Sequence, residues 1–192
     1  MMTTRKKLPD ILTDEEAKRL IDIPNKRYYT GLRNKAIITL MLNAGLRVSE
    51  ITDLKKENID LKNRSLKVVN GKGHKDRNLI IPEKTAELLK QWNKKSAGNI
   101  ERYYFNTRDG KPLSREYIFM MIKRYVGRAR ISKHVYPHTL RHTFATNFYR
   151  QTKDIETLRK LLGHSDISTT QIYVTLANID VENAMNNFRE IV

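Results

Sequence analysis

Polar Thr13-Asp14-Glu15-Glu16 stands ahead of apolar Leu20, and its T-x-x-E form predicts a helix start with a capping box. A second helix is predicted over Tyr29–Ala44, because Ile37, Leu40, Met41 and Ala44 recur at helical spacing and Gly45 stops the pattern. A short helix over Ser49–Leu54 follows. The period then shortens. Leu66-Lys67-Val68-Val69 and Leu79-Ile80-Ile81 are β-prone runs on either side of Gly71-Lys72-Gly73-His74-Lys75-Asp76-Arg77, which reads as a hairpin with a basic tip. Pro82 ends the second run, and Glu83 opens a helix to about Lys95. Ser96–Asn99 reads as a loop. Tyr103-Tyr104-Phe105 reads as one more strand, closed by Asp109-Gly110.

From Ser114 onward the pattern is helical. Ile118, Met121, Ile122, Tyr125, Val126 and Ala129 make one apolar stripe, with Lys123, Arg124 and Arg128 off it. Further helices are predicted over His138–Gln151 and Ile155–Leu162, the latter ended by Gly163. Ser168-Thr169-Thr170-Gln171, an S-x-x-Q box, starts a short helix. A last helix follows Asn178, with apolar Ile179, Val181, Ala184, Met185 and Phe188. The sum is a mainly α chain with a small antiparallel β-sheet (α+β). Residues 1–11 read as a basic arm and 12–192 as one domain, a size that supports a real core.

Composition narrows the function. The absence of cysteine excludes disulfides, thiolate metal sites and a cysteine nucleophile, and fits a cytoplasmic chain. The longest apolar run, Ile37-Ile38-Thr39-Leu40-Met41-Leu42, is far short of the roughly 20 residues of a membrane span. Arg5-Lys6-Lys7 is followed by no apolar signal segment. Lys and Arg number 37 against 21 Asp and Glu, a formal net charge of +16. That excess favours a polyanionic partner, most simply nucleic acid, over a merely solvated basic surface. An anionic membrane surface competes less well, because the charge is spread along the chain rather than gathered on one amphipathic helix.

Three clusters carry candidate chemistry. In His138-Thr139-Leu140-Arg141-His142 the positions 138, 141 and 142 share one helix face, while Leu140, Phe144 and Phe148 point away. Histidines at i and i+4 can hold zinc, but Thr139 stands where a zinc protease needs Glu, and a guanidinium beside imidazoles suits a phosphate better. In Ala44-Gly45-Leu46-Arg47-Val48-Ser49-Glu50 a carboxylate three positions on can orient Arg47. Leu161-Leu162-Gly163-His164 is followed nine positions later by Tyr173. Alone, each admits a plain structural reading.

Together, the ordered segments G-L-R-V-S-E (45–50), G-K-G-H-K-D-R (71–77), P-H-T-L-R-H-T-F-A-T (137–146), L-L-G-H-S (161–165) and Q-I-Y (171–173) resemble the catalytic domain of tyrosine recombinases, the phage integrases and Xer-type enzymes. The resemblance implies that fold from about Leu12 to the C-terminus. It also implies a site-specific DNA recombinase working through a 3′-phosphotyrosyl link without metal or ATP. By resemblance Tyr173 is the nucleophile and Arg47 and Arg141 clamp the phosphate. Lys72 is the general acid, with Lys75 as second choice. His138 transfers the proton, His164 bonds the scissile phosphate, and Glu50 and His142 support the site. Lys75, Arg77, Lys123 and Arg124 are expected to touch DNA. Double-stranded DNA is the expected partner at the nucleoid, with the C-terminal helix docking in a tetramer or on its own domain. Nothing matches the family's N-terminal core-binding domain, so that domain is expected to be absent. Two other readings compete: a type IB topoisomerase-like relaxing activity, and a catalytically silent DNA-binding regulator.

Overall fold

A computed structural model describes residues 9–69, 76–97, 102–164 and 168–186. Of Ser168 and of residues 179–186 only the backbone is described. The helices are α1 (Asp14–Asp22), α2 (Tyr29–Ala44), α3 (Val48–Thr52), α4 (Glu83–Lys95), α5 (Arg115–Arg128), α6 (Pro137–Thr152), α7 (Ile155–Leu162) and α8 (Ser168–Asn186). The strands β1 (Ile59–Asp60), β2 (Ser65–Val68) and β3 (Arg77–Ile80) form an antiparallel sheet in that order. Leu66 pairs with Leu79 and Val68 with Arg77. Mainly α with one small antiparallel sheet is therefore the architecture.

Local chemistry explains the element ends. Thr13 Oγ1 accepts from the Glu16 amide while Glu16 Oε2 accepts from the Thr13 amide, the reciprocal box read in the sequence. Helix α2 is buried nearly all round, Arg33 and Asn34 included, and sits inside against α1, α4 and α6. Gly45 ends it at φ 63°, and a Cβ there would lie 2.3 Å from the Phe144 ring. Only glycine satisfies both demands, and the turn it permits brings Leu46 into the core and Arg47 to the head of α3.

Two apolar clusters result. The larger joins α1, α2, α4, α5 and the sheet, with Trp92 and Phe105 fully buried. The smaller holds Ala145, Leu158, Leu162, Tyr173 and Leu176, with Phe144, Phe148 and Tyr149 against it, and it seats α8 on α6 and α7. Helix α6 thus faces both: Leu140 enters the first cluster, and Phe144 and Phe148 the second.

Two expectations change. Tyr103-Tyr104-Phe105 is not a strand: only isolated bridges, Lys55 to Tyr103 and Asn106 to Pro112, flank it. Its rings pack instead, Phe105 edge-on to Tyr104 and beside Trp92. Two helices around Asn178 are one, since α8 runs unbroken from Ser168 to Asn186 and the sequence has no Gly or Pro there. The first residue of the 12–192 domain is tied in, the Leu12 amide donating to Thr143 Oγ1 at 2.9 Å. The hairpin tip with Lys72 and Lys75, residues 1–8 and Phe188 lie outside the described residues.

Candidate active site

Glu50 is the hub. It is the third residue of α3, and its carboxylate accepts the Arg47 amide at 2.8 Å and the Arg47 guanidinium at 2.9 Å. Arg77, on β3, donates two parallel bonds to the same carboxylate, both at 2.8 Å. Arg141 Nη1 lies 3.9 Å from Glu50 Oε2. One buried carboxylate therefore serves three guanidiniums. Burial alone would raise its pKa, but the Arg77 bonds, the Arg47 amide and the charge of Arg141 outweigh burial and hold it down at about 2.

Helix ends supply the rest of the counter-charge. The last carbonyls of a helix lack intrahelical partners and carry the negative end of its dipole. Gly45 O, closing α2, accepts from Arg141 Nη1 at 2.5 Å. Leu162 O, closing α7, accepts from Arg141 Nη2 at 2.6 Å, and Leu161 O from Arg77 Nε at 2.7 Å. Burial first, then Arg47, lowers the Arg141 pKa to about 10, which still leaves it charged at neutral pH. The cluster keeps a net positive charge and suits an anion.

The imidazoles complete it. Arg141 Nη2 lies 3.3 Å from His164 Nε2, and His164 Nδ1 lies 3.1 Å from Thr170 Oγ1. A guanidinium can only donate, so Nε2 accepts and the proton sits on Nδ1, directed at Thr170. His138 and His142 face each other at 6.4 Å between ring centroids. Partial burial, then Arg141 and Arg47, lowers the His138 pKa. Tyr173 is 2% exposed, and its hydroxyl lies 3.0 Å from His142 Nδ1. Burial raises its pKa, while Arg141 and Arg47 pull it back.

The structure thus gathers Arg47, Glu50, His138, Arg141, His142, His164 and Tyr173 from the head of α3, from α6, from just past the end of α7 and from α8. Two placements differ from the sequence reading. Arg77 is not a DNA-facing cation: its side chain is 9% exposed and engaged with Glu50 and Leu161. The imidazole that meets Tyr173 is that of His142, not His138. Lys123 and Arg124 are exposed on α5, and Arg124 lies over the Tyr125 ring. Thr170 escaped sequence reasoning because its S-T-T-Q context explained it fully as part of a helix start. The exposed stack of Phe119 on Tyr136 escaped it too, because Phe119 lies on α5 and Tyr136 just ahead of α6.

Comparisons with known proteins identify the family. The phage integrase family model matches residues 10–178. Tyrosine recombinase XerD of Staphylococcus saprophyticus subsp. saprophyticus is 37% identical over 191 residues, which cover 95% of this chain and 63% of XerD. The crystal structure of XerA recombinase superposes with a TM-score of 0.82 at 32% identity, over 97% of this chain and 68% of that one. XerH site-specific recombinase, in a post-cleavage complex with palindromic difH substrate, also gives 0.82, at 27% identity over 96% of this chain and 54% of that one. The chain belongs to the phage integrase family and carries the tyrosine recombinase catalytic-domain fold. It spans less than two thirds of the length of the curated relatives named XerD and XerC. No helix among the described residues is long and apolar enough to cross a membrane.

Proposed function

We propose that the chain is a site-specific DNA recombinase that cuts and rejoins double-stranded DNA through a covalent 3′-phosphotyrosyl link. The observation that carries this reading is a buried tyrosine hydroxyl, bonded to an imidazole, beside guanidiniums anchored so that they stay charged. Family membership and the XerH complex with a DNA substrate support it.

The chemistry follows from charge. A phosphodiester repels an incoming nucleophile, and in-line attack builds more charge on its non-bridging oxygens. Arg47 and Arg141 offset that charge without reorganising, and losing one such donor typically costs about 10²–10³ in rate. The Tyr173 oxygen bonds to phosphorus as the bond to the 5′ oxygen breaks. A base takes the phenolic proton as that bond forms, a role the resemblance gives to His138 although the hydroxyl itself meets His142, and Lys72 protonates the departing 5′ oxygen. The phosphotyrosyl bond conserves the energy of the broken one, so a second 5′ hydroxyl reverses the step and no external energy source is consumed. Glu50 holds the arginines in register. DNA contacts by Lys75, Lys123 and Arg124, a tetramer joined through the C-terminal tail, and residence at the nucleoid belong to the same reading.

A nicked duplex with an inverted-repeat core, which loses its short 5′ fragment on cleavage, tests it. The chain should become linked to the 3′ end and migrate as a stable adduct on a denaturing gel. Absence of any adduct on related sites would favour a silent DNA-binding regulator. Relaxation of supercoiled DNA without a site requirement would favour a topoisomerase. Binding should also weaken about 10³-fold between 50 and 200 mM salt, as release of counterions from several phosphates demands. A filter-binding titration that is flat in salt would count against a phosphate-dominated interface.

A further inference from the structure

The nucleophile and the phosphate clamp converge on neighbouring residues of one helix. Arg141 and His142 are consecutive in α6. The guanidinium of Arg141 is pinned by the carbonyls of Gly45 and Leu162. The Tyr173 ring is pinned by the apolar contacts that seat α8 on α6 and α7. What those contacts leave free is rotation of the phenolic O–H, and the group facing it is His142, 3.0 Å away, with ring centroids 5.7 Å apart.

We propose that His142 is the positioning residue of the nucleophile: its Nδ1 accepts the Tyr173 hydrogen and fixes the hydroxyl relative to Arg141. This rests on the recombinase reading above and deepens it. With the hydrogen directed at His142, the oxygen lone pairs point away from α6, free to meet a phosphorus atom. The imidazole presents a lone pair at neutral pH, since burial first, then His138 and Arg141, holds its pKa at about 4. Burial and the neighbouring positive charges make its imidazole a poor acceptor of a full proton, so His142 orients the hydroxyl and leaves proton removal to another group.

The test compares wild type, His142→Leu and His142→Asn by single-turnover adduct formation on the nicked duplex at saturating DNA. The Leu variant fills the space without an acceptor and should react about 10²-fold more slowly, the usual cost of a misaligned reacting atom. Its DNA affinity and thermal midpoint should change little. The Asn variant, whose amide oxygen replaces Nδ1 as acceptor, should recover to within about fivefold of wild type, which neither a base nor a filler role predicts. In protein carrying ¹⁵N-histidine, Tyr173→Phe should shift the His142 Nδ1 resonance. A Leu variant at the wild-type rate, an Asn variant no better than Leu, or an unmoved resonance overturns the proposal. Wild-type protein that forms no adduct overturns the recombinase reading instead, and the resonance then still reports whether the pair exists.

Discussion

Tyr173→Phe should reduce covalent linkage to DNA to background while leaving affinity within about twofold of wild type. The substitution removes a single oxygen. The ring keeps its place among Ala145, Leu158, Leu162 and Leu176, so α8 stays seated. The lost bond to His142 is worth about 0.5–1.5 kcal/mol, too little to unfold a domain of this size. No other described group of the cluster is expected to take over: the Thr170 hydroxyl is engaged with His164, the Glu50 carboxylate with Arg47 and Arg77, and Arg141 with Gly45 and Leu162. Affinity comes from the positive cluster and the exposed cations, none of which the phenol neutralises. Binding by mobility shift and linkage by denaturing gel therefore separate cleanly. A Phe variant that still became linked would show that another residue attacks, and the assignment of Tyr173 would fall.

How far the sequence revealed this site depends on distance along the chain. Where one segment carries its own instructions, reading succeeded. Helix α2 ends at Gly45, and α7 ends at Gly163 with φ 63°. The pair Arg47–Glu50 lies three positions apart within one helix start, so periodicity alone brings it together. Reading failed where the partner came from elsewhere. Arg77 meets Glu50 across 27 positions, and nothing in a basic hairpin says that one cation turns inward. The choice between His138 and His142 as the partner of Tyr173 was equally invisible. Both share a helix face, and only the seating of α8 decides between them. The two-residue strand β1 is too short to show alternation, and Tyr103–Phe105 looks like a strand because aromatic residues favour sheets. There the same residues serve packing around Trp92.

Glu50→Ala should be as damaging to the chemistry as loss of an arginine, and far more damaging to stability. It leaves the guanidiniums of Arg47, Arg77 and Arg141 facing one another with their shared carboxylate gone. Breaking a buried ion pair from one side costs about 3–5 kcal/mol, which lowers the melting temperature of a chain this size by roughly 10 °C. The Arg47 amide also loses its acceptor, so the head of α3 frays and Arg47 leaves its register. Adduct formation should fall by about 10²–10³. The pH dependence isolates the charge. The Glu50 pKa is about 2 in the folded chain against an ordinary 4.5, so its contribution is complete above pH 4.5 and is lost as pH falls through 2. That drop corresponds to about 3 kcal/mol. The stability gap between wild type and Glu50→Gln, measured by urea unfolding, should therefore narrow by about that amount between pH 5 and pH 2. A gap that stayed constant over this window would mean that the carboxylate charge does not hold the arginines together, and that Glu50 contributes only shape.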